Sequence, residues 1–250
     1  MRIELRLVAT STRASLLQIG LVIALAACSG GAAVHTPTAS TATVAASAIA
    51  SPSSMSGPRA LGEGPQGPLD PGTYVTASPF LTRVTFSLPA QWFADIGGPY
   101  AVFLDPSMDP VSNDDGLVEF VIFDKIYADP CHVDRGLLNP PPGPSVDDLA
   151  KALARVPGLV ATTPTDVTVG GYHGKQLTLT SHTSTATCSL WQLPLGAANS
   201  MVPGERDRYW ILDINGQRLV ISAHEIPGES AAQKAEVQAL LDSIRIAPAA

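Results

Sequence analysis

The sixteen residues RYWILDINGQRLVISA (208–223) indicate how the centre of the fold is built. Two mostly apolar runs flank Asn215 and Gly216, and an Asn-Gly pair in this position is typical of a type I′ turn. A type I′ turn joins neighbouring antiparallel strands because its twist matches the twist of the strands. The stretch therefore predicts an antiparallel β-hairpin.

Further strands are predicted on the N-terminal side of this hairpin. The segment RVTFSLPAQW (83–92) alternates apolar and polar residues, which is typical of a half-buried strand. The segment DVTVGGYHGKQLTLT (166–180) reads as a second hairpin around Gly170 and Gly171. The other predicted strands are AVFL (101–104), GLVEFVIFDKIY (116–127) and ATCSLWQLP (186–194).

Two helices are predicted from their capping residues. Ser145 with Asp148, and Ser230 with Gln233, have the spacing of a capping box at a helix N-terminus. The apolar residues that follow lie on one helix face in each case: Val146, Leu149, Leu153 and Val156, and then Val237, Leu240, Leu241 and Ile244. The order strands, helix, strands, helix predicts an α+β domain with a mostly antiparallel sheet and helices packed on it.

The N-terminus has the pattern of a lipoprotein signal. A basic segment and a short uncharged apolar segment precede LAAC (25–28), and the apolar run is shorter than the roughly 20 residues that span a bilayer. We expect residues 1–27 to be a signal peptide and Cys28 to be lipidated. An ordinary secretory signal with an unrelated cysteine remains the alternative.

Residues 28–69 are rich in Ala, Ser, Thr, Pro and Gly and contain almost no large apolar residues. Such a composition cannot bury enough surface to offset its ordering entropy, so this segment is predicted to be a disordered tether. Residues 70–250 are predicted to form a single globular domain.

The net charge argues against nucleic acid as a partner. The chain of 250 residues has a formal net charge of −7. Cleavage after residue 27 would remove three basic residues and one acidic residue, which changes this charge to −9. Phosphate backbones are bound by basic surfaces, so an acidic protein is a poor candidate.

The order of elements also resembles a known family. The motifs LPAQW (88–92), a capped helix before TVGGYHGKQLTLT (168–180), and a closing helix ending in DSIRI (242–246) resemble the Mog1/PsbP-like fold, including the LpqN-type lipoproteins of actinobacteria. The resemblance covers most of residues 79–247. It implies an α/β/α sandwich and a binding or assembly module without a shared set of catalytic residues.

No cofactor or metal site is predicted. The chain contains no GxSxG, SxxK or HExxH motif. Cys131, His132, His173 and His182 lack paired metal-ligand spacing, and the acidic segment 105–115 lacks the register of a calcium loop. We therefore expect neither catalytic nor metal-binding residues.

Four aromatic residues are weak candidates for ligand binding: Trp92, Trp191, Tyr209 and Trp210. Aromatic rings can line a ligand groove, although rings of this size more often belong to the core. Tyr209 and Trp210 are adjacent, so they point to opposite faces of a strand. At least one of them should lie away from the main core face.

Cys131 and Cys188 are the remaining pair of cysteines once Cys28 is acylated. In an oxidising compartment such a pair is expected to form a disulfide, and two buried thiols are the alternative.

These features predict a lipoprotein anchored to the outer face of the bacterial plasma membrane. Its partners would be the membrane, through the N-terminal lipid, and an envelope protein or a lipid ligand. We expect a non-catalytic binding or scaffolding module for an envelope protein or an apolar ligand. The alternative is a cell-envelope hydrolase that uses a carboxylate pair such as Asp114 and Asp115.

Overall fold

The computed structural model describes the C-terminal part of the chain. The described residues are 57–62, 64–65, 67–78, 80–106, 117–182, 187–194 and 199–247. They belong to the second of two compact units, Ser53–Ala250. The predicted signal peptide and Cys28 lie outside the described residues. Within the described part, no helix has the length and apolar character needed to cross a membrane.

The described residues form thirteen strands and two α-helices. The strands are β1 Arg59–Ala60, β2 Gly64–Pro65, β3 Gly72–Val75, β4 Arg83–Leu88, β5 Phe93–Gly97, β6 Ala101–Asp105, β7 Val118–Val121, β8 Leu159–Ala161, β9 Thr165–Val169, β10 Tyr172–Ser181, β11 Arg206–Ile214, β12 Gln217–Glu225 and β13 Arg245–Ala247. The helices are α1 Val146–Leu153 and α2 Ala231–Ser243.

The predicted hairpin of residues 208–223 is confirmed as β11 and β12. Antiparallel pairing runs from Arg206 opposite Glu225 to Ile214 opposite Gln217. The turn residues Asn215 and Gly216 have φ values of 55° and 89°. Glycine and asparagine adopt this left-handed region at the lowest cost, so the turn sequence fixes the register of both strands.

Nearly all of the strand pairing is antiparallel. Within the described residues, one nine-stranded sheet has the order β2-β5-β6-β7-β12-β11-β10-β8, with β9 also paired to β10. A four-stranded sheet has the order β1-β3-β4-β13. The pairing of β1 with β3 is parallel, whereas the other strand pairs are antiparallel. The predicted mostly antiparallel sheet is thus confirmed.

Two hydrophobic cores lie on opposite faces of the β11–β12 hairpin. Alternation along β11 places Trp210, Leu212 and Ile214 in the first core. It places Tyr209 and Ile211 in the second core. Both faces of the hairpin are therefore covered by protein, which explains why its sequence is apolar at successive positions.

Each helix contributes to a different core. Leu149 and Leu153 of α1 are buried in the second core, whereas Val237 and Leu240 of α2 are buried in the first. Both predicted capping boxes are present. The hydroxyl oxygen of each N-cap serine accepts a hydrogen bond from the backbone N–H three residues later, and the backbone N–H of the serine donates to the side chain of that same residue, Asp148 or Gln233.

The predicted strand 186–194 is wrong in its described part. Residues 187–194 make only isolated bridges, from Cys188 to Met201 and from Trp191 to Ile126. The backbone N–H groups of Leu190 and Trp191 donate to the Oδ1 atom of Asn199 instead of to a neighbouring strand. The Asn199 side chain thus accepts the hydrogen bonds that a neighbouring strand would accept in the predicted sheet.

The folded domain also begins earlier than the predicted boundary at residue 70. Strand β1 pairs with Tyr74 and Val75, and the Arg59 guanidinium lies 4.2 Å from the centre of the Tyr74 ring. Leu61 is only 2% exposed and belongs to the first core. The polar composition around Leu61 concealed this single anchoring side chain.

Replacement of Leu61 by alanine tests the earlier boundary. Leu61→Ala should lower the free energy of unfolding by about 2–5 kcal/mol, because it leaves a cavity in the core. Leu81→Ala is the control, since Leu81 is 43% exposed and should change stability by less than about 0.5 kcal/mol. Urea unfolding of the full chain gives both values. Equal effects of the two substitutions would contradict the packing of Leu61.

Candidate functional site

An open polar cleft lies beside the N-terminus of α1 and the turn between β11 and β12. Its volume is about 690 Å³, which is in the range of small-ligand sites. The charged or titratable residues that line it are Asp147, Asp166, His173, Lys175, Asp213 and Arg218. We call these six residues the polar cleft.

Lys175 connects two carboxylates across the polar cleft. Its Nζ atom lies 2.6 Å from Asp166 Oδ1 and 3.6 Å from Asp147 Oδ1. Lys175 extends from β10 and Asp147 from α1, so the ion pairs cross from the sheet to the helix. Exposed pairs of this kind contribute little stability. Their main effect is to position charge at the cleft wall.

Arg218 of β12 is held by main-chain carbonyl groups. Its Nη1 atom donates to the Gly143 carbonyl at 2.6 Å, and Nη2 donates to the Phe123 carbonyl at 3.5 Å. Asp213 is the cross-strand neighbour of Arg218, and its Oδ1 atom accepts from the Gly216 backbone N–H at 2.6 Å. The β11–β12 turn and the segment before α1 are therefore tied to the same wall.

The polar cleft holds Lys175 and Asp166 in their charged forms. The hydrogen bond from Lys175 lowers the pKa of Asp166. The same hydrogen bond raises the pKa of Lys175, and the neighbouring charge of Asp147 adds to this increase. Both pKa values move away from neutrality, so this pair is suited to fixed charge and poorly suited to proton transfer near pH 7.

A second polar feature is buried on the same face of the sheet, toward the other end of β11 and β12. Glu119, Glu205, Asp207 and His224 are each at most 4% exposed. We call these four residues the carboxylate–histidine cluster. Asp207 and His224 are cross-strand partners in β11 and β12, while Glu119 projects from β7.

His224 contacts all three carboxylates. Its Nδ1 atom lies 2.8 Å from Glu205 Oε1 and 3.4 Å from Asp207 Oδ1, and its Nε2 atom lies 3.2 Å from Glu119 Oε2. Neighbouring hydroxyl groups add two bonds. The Tyr209 hydroxyl donates to Asp207 Oδ2 at 2.8 Å, and the Ser222 hydroxyl donates to Glu119 Oε2 at 2.7 Å.

Burial and charge move the pKa values of the cluster in different directions. Burial raises the pKa of Asp207 well above its ordinary value, although the charge of His224 opposes this shift. Burial alone would lower the pKa of His224, but Asp207 and Glu119 outweigh it and raise that pKa well above its ordinary value. Burial likewise tends to raise the pKa of Glu205, but the hydrogen bond from His224 reverses the net direction to a lowered value. Protons are therefore favoured on Asp207 and His224 relative to Glu205.

No protein-family model matches the chain. No curated protein matches it either. A crystal structure of LpqN, described as involved in cell envelope biogenesis of Mycobacterium tuberculosis, is similar to the chain with a TM-score of 0.35 and 15% sequence identity. The similarity covers 74% of this chain and 92% of that chain. At this TM-score the similarity supports no argument about fold or function.

The four aromatic candidates do not form a shared ligand groove. Trp92, Trp191 and Tyr209 are fully buried, and Trp210 is half-buried. Trp92 and Trp210 belong to the first core, whereas Trp191 and Tyr209 belong to the second. The four rings are thus divided between the two cores. Alternation along β11 separates Tyr209 from Trp210, whereas Trp92 and Trp191 make isolated bridges outside the named strands.

Cys131 and Cys188 form the predicted disulfide. Asp129 fixes the turn that carries Cys131, since its Oδ1 atom accepts from the Cys131 backbone N–H at 3.2 Å and its Oδ2 atom pairs with Arg135 at 2.5 Å. The bridge thereby joins this turn to the segment containing Trp191. The other predicted positions, Cys28, Asp114 and Asp115, lie outside the described residues.

Sequence reasoning missed both the polar cleft and the carboxylate–histidine cluster. One signal for the cluster was present in β11, because Asp207 lies on the same face of the strand as the apolar residues Tyr209 and Ile211. A charged residue at an inward-facing strand position is unusual and points to a buried polar network. The partners in β7 and β12 come from separate parts of the chain, so no local motif marks them.

Removal of the disulfide should destabilise the domain. The double variant Cys131→Ala/Cys188→Ala opens a loop with a sequence separation of 57 residues, so the free energy of unfolding should fall by about 4 kcal/mol on the chain-entropy model. Urea unfolding measures this loss. As a control, Cys131 and Cys188 of the wild type should resist alkylation until a reductant is added. Alkylation of both residues without reductant would contradict the bridge.

Proposed function

We propose that this protein is a lipid-anchored extracytoplasmic module that binds a polar partner of the cell envelope and does not catalyse a reaction. The observation that carries this proposal is the polar cleft, in which Lys175 is held charged between Asp147 and Asp166. The other parts of the proposal rest on the N-terminal sequence and on the disulfide.

The disulfide supports a location outside the cytoplasm. Stable structural disulfides form in oxidising compartments and are rare in the bacterial cytoplasm. The LAAC motif at residues 25–28 supports lipidation at Cys28 and attachment to the outer face of the plasma membrane. Two or three acyl chains make such attachment stable.

The charge pattern of the polar cleft supports binding rather than chemistry. Three acidic side chains line the open cleft together with Lys175, Arg218 and His173. Such a surface offers paired hydrogen-bond donors and acceptors to a polar partner. The shifts in the pKa values of Asp166 and Lys175 keep both groups ionised, which does not suit a general acid or base at neutral pH.

The exposed apolar surface supports a polar partner over an apolar ligand. Among the described residues, the exposed large hydrophobic side chains are Leu81, Val133 and Val160. They belong to three different segments of the chain. Scattered apolar residues are ordinary on a protein surface, whereas a lipid site needs a contiguous apolar lining.

We also propose that the domain has the Mog1/PsbP-like α/β/α arrangement that the sequence motifs suggest. The burial of α1 in the second core and of α2 in the first supports this proposal, because the two cores lie on opposite faces of the β11–β12 hairpin.

Substitution of Cys28 tests the anchor. Cys28→Ala should leave the protein unprocessed or release it into the medium, because the thiol that receives the lipid is missing. Ser29→Ala is the control and should remain in the membrane fraction. Cell fractionation and mass spectrometry measure both outcomes. A Cys28→Ala protein that is processed and fractionates with membranes as the wild type does would contradict lipidation at Cys28.

Site-specific photo-cross-linking tests the polar cleft. A benzophenone amino acid at position 147 in intact cells should give a discrete cross-linked product, whereas the same amino acid at position 160 should not. Both native residues are exposed, but of the two only Asp147 lines the cleft. Products of equal yield at both positions, or none at position 147, would contradict binding at the cleft.

A further inference from the structure

The carboxylate–histidine cluster contains more negative than positive groups. Within the described residues no lysine or arginine forms an ion pair with Glu119, Glu205 or Asp207, and their ion pairs all involve His224. Ionised carboxylates in a protein interior are strongly disfavoured unless a proton or a cation compensates them. One imidazolium can compensate only one of the three.

Three atoms of the cluster lie close enough together to be ligands of one cation. His224 Nδ1 lies 2.8 Å from Glu205 Oε1 and 3.4 Å from Asp207 Oδ1. All three donor atoms lie within 4.8 Å of one another. Ligands held at about 2.0–2.1 Å by one tetrahedral Zn²⁺ are roughly 3.3 Å apart, so only small movements would bring these atoms to a cation.

One of these three possible ligand atoms, Asp207 Oδ1, has no hydrogen-bond partner among the described residues. Asp207 is fully buried, and its Oδ1 atom makes no hydrogen bond, although it lies on the His224 side of the carboxylate. The other oxygen, Oδ2, is fixed by the Tyr209 hydroxyl at 2.8 Å. The carboxylate is thus anchored through one oxygen and presents the second to the centre of the cluster. A buried carboxylate oxygen without a hydrogen-bond donor is a position at which a proton or a cation can supply the compensation.

Glu119 lies on the far side of the imidazole ring. Its Oε2 atom is 3.2 Å from His224 Nε2 and also accepts the Ser222 hydroxyl at 2.7 Å. Within the described residues Nε2 makes no hydrogen bond, and Glu119 contacts it as a charge, whereas Nδ1 faces Glu205 and Asp207. With Nδ1 as the metal ligand, a small rotation would let Nε2 donate to Glu119. This carboxylate–histidine–metal relationship is common around protein metal sites.

We propose that Glu205, Asp207 and His224 bind a divalent transition-metal cation of the Zn²⁺ class. Binding displaces the proton of His224 Nδ1 and the proton of Asp207 to solvent, and the cation supplies the positive charge that the cluster lacks. It also fastens the loop before β11 to the sheet, because Glu205 precedes β11 and its Oε2 atom accepts the Val202 backbone N–H at 2.6 Å.

The donor set distinguishes this class of cation from others. One imidazole nitrogen and two carboxylate oxygens suit Zn²⁺, Co²⁺ or Mn²⁺. Ca²⁺ and Mg²⁺ prefer oxygen ligands, and Ca²⁺ takes six to eight of them. The interior position of the three residues indicates a structural cation and not a catalytic one.

Metal binding to the tag-free full chain in detergent tests this proposal. After treatment with EDTA and dialysis, the wild type should bind one equivalent of Zn²⁺, measured by elemental analysis, and its melting temperature should rise. A millimolar excess of Ca²⁺ should not compete. Asp207→Asn should lower the Zn²⁺ affinity at least tenfold, since the amide keeps an oxygen for the Tyr209 hydroxyl but is a poor metal ligand. Asp95→Asn, which changes an exposed strand carboxylate, should leave the affinity unchanged.

X-ray absorption of the zinc-loaded wild type keeps the proposal testable if Asp207→Asn does not fold. The expected first coordination shell of the zinc ion contains one imidazole nitrogen and oxygen ligands, each at about 2.0–2.1 Å from the metal. A shell with sulfur or with several imidazoles would overturn the proposal, because it would place the ion elsewhere in the chain. The proposal also fails if the wild type binds no Zn²⁺, Co²⁺ or Mn²⁺, or if Asp207→Asn binds Zn²⁺ as tightly as the wild type.

Discussion

The register of the β11–β12 hairpin is the constraint on which the rest of the structure depends. The Asn215-Gly216 turn fixes which residues face each other, and side chains then alternate between the two faces of the sheet. A shift by one residue would move Asp207 into the first core and Trp210 into the second. The positions of both cores and of both polar features follow from this one register.

The two polar features lie toward opposite ends of the same face. Asp213 in the polar cleft and Asp207 in the carboxylate–histidine cluster are six residues apart on β11, which corresponds to about 20 Å. The second core, with Leu149 and Leu153 of α1, belongs to this same face. An open, ion-paired surface and a buried cluster can therefore have different roles, since solvent screens the charges of the first much more than those of the second.

Local sequence signals predicted the elements well and the site poorly. The Asn215-Gly216 turn and the helix caps at Ser145 and Ser230 are formed by residues close together in sequence. These elements can therefore be predicted without knowledge of distant contacts. The cluster depends on the pairing of β7 with β12 and of β12 with β11, which unites residues as distant as Glu119 and His224. Leu61 was missed for a related reason. A single apolar residue in a Gly- and Pro-rich segment has no periodicity from which its burial can be inferred.

The position of β12 determines the order in which the nine-stranded sheet can be completed. This strand lies between β7 and β11, yet it is the last strand of that sheet along the chain. Until residues 217–225 have emerged, β5, β6 and β7 form one group and β8 to β11 another, each with an open edge. Open edges are sites of unwanted pairing between chains. A chain that ends before β12 would therefore be prone to aggregate, and neither core can close in the intact chain before β12 has been added.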